Sequence, residues 1–171
     1  WNSLLNTITF GHFFKETQKV TITGNDDSYN SEGYDFSKNA VKISYLLVSG
    51  IDAKAYTTDE LAQKYAEGKF KEYASSFNIA ADDRYVVFAR IEDFAGNATY
   101  ISTDGMIVDT ISPVVDGITE GNTYCINAKF TVSDENINKV TDTTALATTT
   151  LTAIDGVYTL SAGTHKITVS R

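Results

Sequence analysis

This chain of 171 residues has a single cysteine, a single proline and no excess of basic residues, and the scarcity of cysteine and of basic charge each removes a class of structure or partner. The one cysteine, Cys125, allows no internal disulfide, and no grouping of Cys and His has zinc-site spacing. The net charge is −8, and acidic residues outnumber basic residues on both sides of the one proline, Pro113. We therefore expect neither nucleic acid nor an anionic membrane surface as a partner, because both require a basic excess.

Long apolar runs are also missing. A membrane-spanning helix needs about 18 or more consecutive apolar residues, and the chain has no such run. The first residues, from Trp1 onward, lack the basic and apolar regions of a signal peptide. We expect no membrane insertion in this stretch of sequence, and any targeting signal to lie outside it.

The composition that remains is typical of a folded β protein. Apolar residues make up 42% and charged residues 21%, a balance too apolar for a disordered chain. Tyr, Phe, Thr, Val and Ile are frequent whereas Leu and Met are rare, which favours half-buried strands over helical bundles. The predicted fold class is all-β.

A long strand followed by a tight turn is the clearest local pattern. Apolar residues occur at every second position, at Tyr85, Val87, Ala89 and Ile91, and we expect the positions between them to be more exposed. This alternation predicts a strand with one face in a core. The turn at 95–97, Ala-Gly-Asn, suits a bend because Gly tolerates positive φ and Asn bonds the local backbone. An earlier segment, 41–48, is apolar on both faces and predicts a central strand.

One short helix interrupts the β pattern. Thr57 and Glu60 have the spacing of a capping box, and apolar residues at helical spacing follow them. Gly68 ends the pattern, which predicts a helix at about 58–67. We interpret this helix as an insertion in a β domain and not as a helical layer.

The strand pattern restarts after Pro113. The apolar stretch 124–132 predicts a strand, which would make Cys125 a buried and inert thiol. Asp155-Gly156 and the segment 161–163 have the composition of hairpin turns. The residue before a proline is held extended, so the joint at Pro113 is expected to be stiff.

Two motifs resemble those of a known family. Tyr85 is followed by Asp-Phe-Ala-Gly-Asn at 93–97, and the segment 109–113 reads Asp-Thr-Ile-Ser-Pro. This combination resembles the end of a bacterial immunoglobulin-like repeat and the joint to the next repeat, as found in Gram-positive cell-surface and secreted proteins. The resemblance covers residues 80–171 well and the first 80 residues more loosely.

The resemblance implies two tandem immunoglobulin-like β-sandwiches, at 1–110 with the short helical insertion and at 113–171. The second is small for a sandwich, which leaves open a missing final hairpin strand or a further module. The implied function is a non-catalytic extracellular spacer, stalk or adhesin-type module, secreted or attached to the cell wall. Its implied partners are neighbouring domains of the same polypeptide, and no enzyme activity is expected.

A carbohydrate-binding accessory module of a secreted glycan-degrading enzyme is the alternative function. Its partner would be a host or cell-wall glycan, stacked on exposed aromatic rings. The candidates for such a platform are Trp1, Tyr29, Tyr34, Tyr45, Tyr56 and Tyr100.

We interpret the residues that could take part in catalysis or metal binding as structural. We therefore assign no catalytic, cofactor-binding or metal-binding residue. His12 and His165 fall in different domains without an evident acid partner, and the adjacent acids fall in predicted turns. The acid pairs are Asp26-Asp27, Asp82-Asp83, Glu92-Asp93 and Asp134-Glu135. Two alternatives stay open: a calcium ion held by Asp93, Asn97 and Asp109, and an isopeptide bond from Lys15 or Lys19 to Asn97.

Overall fold

The fold is mostly β with one helix, in a computed structural model that describes residues 1–24 and 41–171. It divides into two compact units, Trp1–Thr110 and Ile111–Arg171, each with its own core. Within the described ranges, no helix has the length and hydropathy needed to cross a membrane. The segment from Gly24 to about Lys38 is polar and predicts a loop, and it lies mostly outside the described residues.

The first unit is built on a seven-stranded sheet with a small two-stranded sheet beside it. Its described strands are β1 (Asn2–Ser3), β2 (His12–Phe14), β3 (Lys19–Val20), β4 (Lys42–Ser49), β5 (Lys71–Glu72), β6 (Phe77–Asn78), β7 (Asp83–Glu92), β8 (Ala98–Ser102) and β9 (Met106–Val108). The main sheet runs β1-β8-β7-β4-β5, with β9 also paired to β7 and β2 to β9, and β3 pairs with β6. β4 lies between β7 and β5, which confirms the predicted central strand.

The long strand β7 is buried on both faces. Tyr85, Val87 and Ala89 point into one hydrophobic cluster, which we call core A, together with Val20, Ile22, Ile79 and Val108. Val86 and Phe88 point the other way into core B, which contains Leu46, Ala53, Tyr56 and Leu61. The predicted core face at Tyr85, Val87 and Ala89 is confirmed, but the expectation that the positions between them are more exposed is wrong, because Val86 and Phe88 are fully buried. Segments distant in the sequence cover its second face.

The helix α1 (Thr58–Ala66) begins at the predicted capping box. The Glu60 backbone N–H donates to the Thr57 hydroxyl, and the Thr57 N–H donates to the Glu60 carboxylate at 2.7 Å. These two bonds satisfy backbone donors that the first turn of a helix leaves free. The helix is confirmed, and its fully buried Leu61 belongs to core B. It covers part of one face of the main sheet.

A strand near the start of the first unit lies beside its last strand. β2 runs parallel to β9, with His12 opposite Met106 and Phe14 opposite Val108. β9 in turn pairs antiparallel with the beginning of β7. The segment before β2 packs tightly on the turn before β9, because the side chains of Phe10 and Ile8 lie directly over Gly105. Phe10 has a left-handed backbone conformation there (φ 51°). The two ends of the unit are thus joined within one sheet.

Gly105→Ala is expected to destabilise the first unit by about 1–3 kcal/mol, the usual cost of overpacking. A Cβ at this buried position would lie 2.6 Å from Phe10 Cγ and 2.8 Å from Ile8 Cγ2. The matched control is Gly11→Ala, where the nearest atom, Thr9 Oγ1, lies at an ordinary 3.5 Å. Urea unfolding of both variants measures the difference. Equal stability of the two variants would contradict this packing.

The second unit consists of two small antiparallel sheets that share one core. Its strands are β10 (Val114–Asp116), β11 (Lys129–Ser133), β12 (Lys139–Thr143), β13 (Thr148–Thr150), β14 (Tyr158–Thr159) and β15 (Lys166–Ser170). One sheet has the order β10-β11-β14 and the other β13-β12-β15. The shared cluster, core C, is formed by Phe130, Val140 and Leu160 and includes partly buried residues of both sheets.

The predicted turns and strands of the second unit have mixed outcomes. Asp155 and Gly156 have φ of 50° and 77° and close a two-residue hairpin between Ile154 and Val157, which confirms that turn. The segment 161–163 instead connects β14 in one sheet to β15 in the other. The strand predicted at 124–132 begins only at Lys129, and Cys125 is exposed, so the prediction of a buried thiol is wrong.

Candidate functional site

The turn after β7 is closed by an acid and an amide. The backbone N–H and side-chain amide of Asn97 each donate to one carboxylate oxygen of Asp93, both at 2.8 Å. The Asp93 N–H donates to the Asn97 carbonyl, and Gly96 takes a φ of 86° between them. The side-chain bond, followed by the backbone bond, lowers the pKa of Asp93 below its ordinary value. These groups therefore hold the turn, as expected for Asx chemistry.

The three residues considered for a calcium site are not brought together. Asp93 directly follows the end of β7, whereas Asp109 follows Val108, which pairs with Asp83 at the beginning of β7. Ten strand residues separate these positions, a distance of about 30 Å at the usual rise per residue. Asp93, Asn97 and Asp109 cannot bind one ion.

The lysines considered for an isopeptide bond lie on other parts of the unit. Lys15 follows Phe14, at the end of the sheet that is opposite Asn97. Lys19 lies opposite Asn78 in the small sheet, and both lysine side chains are exposed. The Asn97 side-chain amide donates to Asp93. Lys15 in particular is too distant to react with this amide.

A second acid ties the segment before β2 to the turn before β9. The Thr9 backbone N–H donates to Asp104 Oδ1 at 2.8 Å, and its hydroxyl donates to Oδ2 at 2.5 Å. The hydroxyl bond, followed by the backbone bond, lowers the pKa of Asp104 below its ordinary value. The ionised carboxylate is thus the form that stabilises this contact.

Thr9→Val is expected to cost the first unit about 0.5–1 kcal/mol at neutral pH, since it removes a hydrogen bond to a charged but partly exposed acceptor. Because the folded-state pKa of Asp104 is lowered, its contribution is complete above about pH 4 and is lost as the pH falls through the folded-state value. The difference from the unmodified chain should therefore shrink in acid. Unfolding curves from pH 7 to pH 2 measure it, with exposed Thr7→Val as the control. A difference that stays constant with pH would contradict the ionic character of the bond.

A third acid anchors the end of the first unit. Asp82 Oδ1 accepts the backbone N–H of Thr110 at 2.8 Å and its hydroxyl at 3.0 Å. The neighbouring Asp109 N–H donates to the Phe14 carbonyl at 2.9 Å. The residues that lead out of the unit are therefore bonded both to the turn before β7 and to β2.

A buried arginine is the first polar group that sequence reasoning missed. Arg90 lies on β7 with 9% of its surface exposed, and its guanidinium carbon is 3.9 Å from the centre of the Tyr65 ring. Arg90 also pairs with Glu92, and this hydrogen bond lowers the pKa of the Glu92 carboxyl. Among the described residues, its Nε has no hydrogen-bond partner. The sequence contains a signal for this burial, because Arg90 lies two residues after Phe88 and therefore on the same face of the strand.

The second missed group is an acid partner for His165. The ring Nδ1 lies 2.7 Å from Asp142 Oδ2, and Nε2 lies 3.0 Å from the Ser161 carbonyl oxygen. The expectation that His165 lacks an acid partner is therefore wrong. A carbonyl oxygen only accepts, so Nε2 carries its proton toward Ser161 and has no lone pair to act as a base. Asp142 lies two residues from buried Val140 on β12, the signal that this acid faces inward.

The aromatic residues considered for a glycan platform do not form one surface among those described. Tyr45 packs against core A with its ring stacked on Phe77, whereas Tyr100 packs against core B on the other face of the sheet. Tyr56 is buried, and Trp1 is 45% exposed with its indole N–H bonded to the Thr21 carbonyl. Tyr29 and Tyr34 lie outside the described residues.

The acid pairs fall at turns and strand ends. Asp83 accepts the N–H of Arg84, and Asp134 accepts the N–H of Asn136 at 2.7 Å. His12 is exposed on β2. Across residues 1–24 and 41–171, no group of three or more His, Cys, Asp and Glu side chains has the arrangement of a metal site. The pair Asp26-Asp27 lies outside these ranges.

In the described part of the chain, the recurring polar feature is thus an acidic side chain that is hydrogen-bonded to a turn or to the end of a segment. Comparisons of the chain with family models, with curated proteins and with solved structures found no match in any of the three.

Proposed function

We propose that this chain is a non-catalytic spacer or adhesin-type segment of a large extracellular protein of the bacterial surface. In this proposal, both units are immunoglobulin-like domains, and the chain is secreted or attached to the cell wall. Its partners are the neighbouring domains of the same polypeptide.

The observation that carries the proposal is how the chain uses its polar side chains. Asp82, Asp93 and Asp104 each accept hydrogen bonds from both the backbone and the side chain of one partner residue. His165 is held by an acid on one side and a carbonyl on the other. Groups that a catalytic site would expose to a substrate are here engaged in holding turns and chain ends.

The architecture gives further support. Two compact β units follow each other in the chain, and each has its own hydrophobic core. In the second unit, two antiparallel sheets share core C, as the two layers of a β-sandwich do. The Asp-x-Ala-Gly-Asn turn that carries the family resemblance is closed by its own Asp93 and Asn97.

The experiment that tests this role has two parts. Antibodies against this chain should label intact cells of the bacterium that produces it, without permeabilisation. Within the parent protein, an unrelated pair of β domains of equal length should then replace the chain without loss of surface function, because a spacer contributes length and not contacts. Labelling only after lysis would overturn the extracellular assignment, and a loss of function after replacement would overturn the spacer role.

A glycan array on the isolated chain distinguishes the alternative. A spacer should bind no glycan on the array. Saturable binding that competes with a soluble oligosaccharide would instead support the carbohydrate-binding module.

A further inference from the structure

We propose that the first unit is built to carry tension through a terminal clamp, defined as the paired segments Thr9–Phe14 and Asp104–Asp109. The inference rests on the proposed spacer role for its biological purpose, but the mechanical property is a matter of strand geometry alone. It depends on which strands are adjacent and on the direction in which each is loaded.

The clamp has three groups of bonds. At one end, the Thr9 N–H and hydroxyl donate to Asp104. In the middle, the three residues of β2 pair in parallel with the three residues of β9. At the other end, the Asp109 N–H donates to the Phe14 carbonyl. Outside the clamp, the Thr110 N–H and hydroxyl donate to Asp82 and anchor the end of the unit to the turn before β7.

The direction of the two strands determines how these bonds are loaded. The chain enters β2 at His12 and leaves β9 at Val108, and in a parallel pair these two points lie at opposite ends. Tension along the chain therefore drags β2 and β9 past each other lengthways. All bonds of the pair then share the load and must break together.

Strand β1 is loaded differently. It runs antiparallel to β8, with Asn2 opposite Ser102 and Ser3 opposite Ile101. The chain must reverse direction between β1 and β2, so tension at its start peels β1 from the free end, one bond after another. We therefore expect β1 to detach early. The load then acts on the clamp while all of its bonds are still in place.

Single-molecule pulling in two directions tests the clamp. All chains carry Cys125→Ser, which removes the exposed thiol, and a handle at the C-terminus. The second handle is placed either at the N-terminus or on a cysteine at exposed position 16, as Glu16→Cys. From position 16, just beyond β2, the same strand pair is pulled apart from adjacent ends and opens like a zipper. The sequence of the clamp is identical in both cases.

The expected result is an unfolding force for the first unit about threefold higher with the N-terminal handle, because three paired positions then share the load. The first unit is recognised by the chain it releases, about 380 Å for its 110 residues with the N-terminal handle and about 330 Å for residues 16–110 with the handle at position 16, against about 210 Å for the second unit. The same force in both directions would overturn the clamp. That outcome would leave the surface labelling and replacement experiments, and with them the spacer role, unaffected.

A pair of proline variants tests the bonds themselves. The Phe14 carbonyl accepts from Asp109, so the Phe14 N–H also faces β9, and Phe14→Pro removes it. Ser3→Pro is the matched control in β1. The force along the full chain should fall about twofold for Phe14→Pro and stay unchanged for Ser3→Pro, as expected if only β2 carries shared load. A fall with Ser3→Pro alone would overturn the proposal. If Phe14→Pro does not fold, the two pulling directions in the unaltered clamp decide the question.

Discussion

Phe88→Ala should destabilise the first unit by about 3–5 kcal/mol, the range observed for truncation of a buried aromatic ring. The Phe88 side chain has no exposed surface and packs edge-to-face on Tyr56, with ring centres 5.5 Å apart. Its backbone pairs with Leu46 on one side and Ser102 on the other. Because β7 is held between two neighbours, it cannot move to fill the space, and the cavity persists.

The measurement is urea unfolding followed by the fluorescence of Trp1, the one tryptophan of the chain. Phe94→Ala is the matched control, since the same substitution is made at a turn where Phe94 is 83% exposed. The control should change the free energy of unfolding by less than about 0.5 kcal/mol. A loss for Phe88→Ala that is no larger than this would mean that β7 has no second buried face.

Phe130→Ala should unfold most of the second unit while the first stays folded. The ring is 1% exposed, belongs to core C and stacks on Tyr158 with centres 5.0 Å apart. A unit of 61 residues has about 3–9 kcal/mol of stability in total, and the truncation removes about 3–5 kcal/mol. The smaller unit has little reserve against the loss of its largest buried ring.

Amide NMR spectra distinguish the two units in this variant. Resonances of β11, β12 and β15 should collapse to unfolded positions, while those of β4 and β7 stay in place. Leu146→Ala, at a side chain that is 97% exposed, is the control in the same unit and should leave the spectrum folded. Loss of all dispersed signals together would show that the two units unfold as one, contrary to two separate cores.

Sequence reasoning succeeded where a few adjacent residues decide the structure. The capping box at Thr57 and Glu60 predicts its helix because both hydrogen bonds are made within one turn. Asp155-Gly156 predicts its hairpin because both residues must adopt positive φ. The apolar stretch at 41–48 predicts a central strand because only burial on both faces accommodates it. The identity of the two units as immunoglobulin-like domains stays a prediction.

Sequence reasoning failed where the structure depends on contacts between segments that are far apart in the chain. The even positions of β7 are as buried as the odd ones, but the residues that cover them, such as Leu61, come from elsewhere in the chain. The Asp142–His165 contact requires the register of β12 against β15. Cys125 lies in an apolar stretch, yet the chain pairs only from Lys129 onward. Spacing along the sequence does not encode these contacts.

The parallel pairing of β2 with β9 also constrains how the first unit is made. Thr9 and Asp104, which meet just before these strands, are 95 positions apart in the chain. A ribosome exposes Thr9 early and Asp104 much later, at about 5–20 residues per second. During that interval β9, with which β2 pairs in the described part of the chain, is not yet available, and an unpaired strand edge is the kind of surface that invites association with other chains. The first unit therefore completes its sheet only when nearly all of its residues have been synthesised.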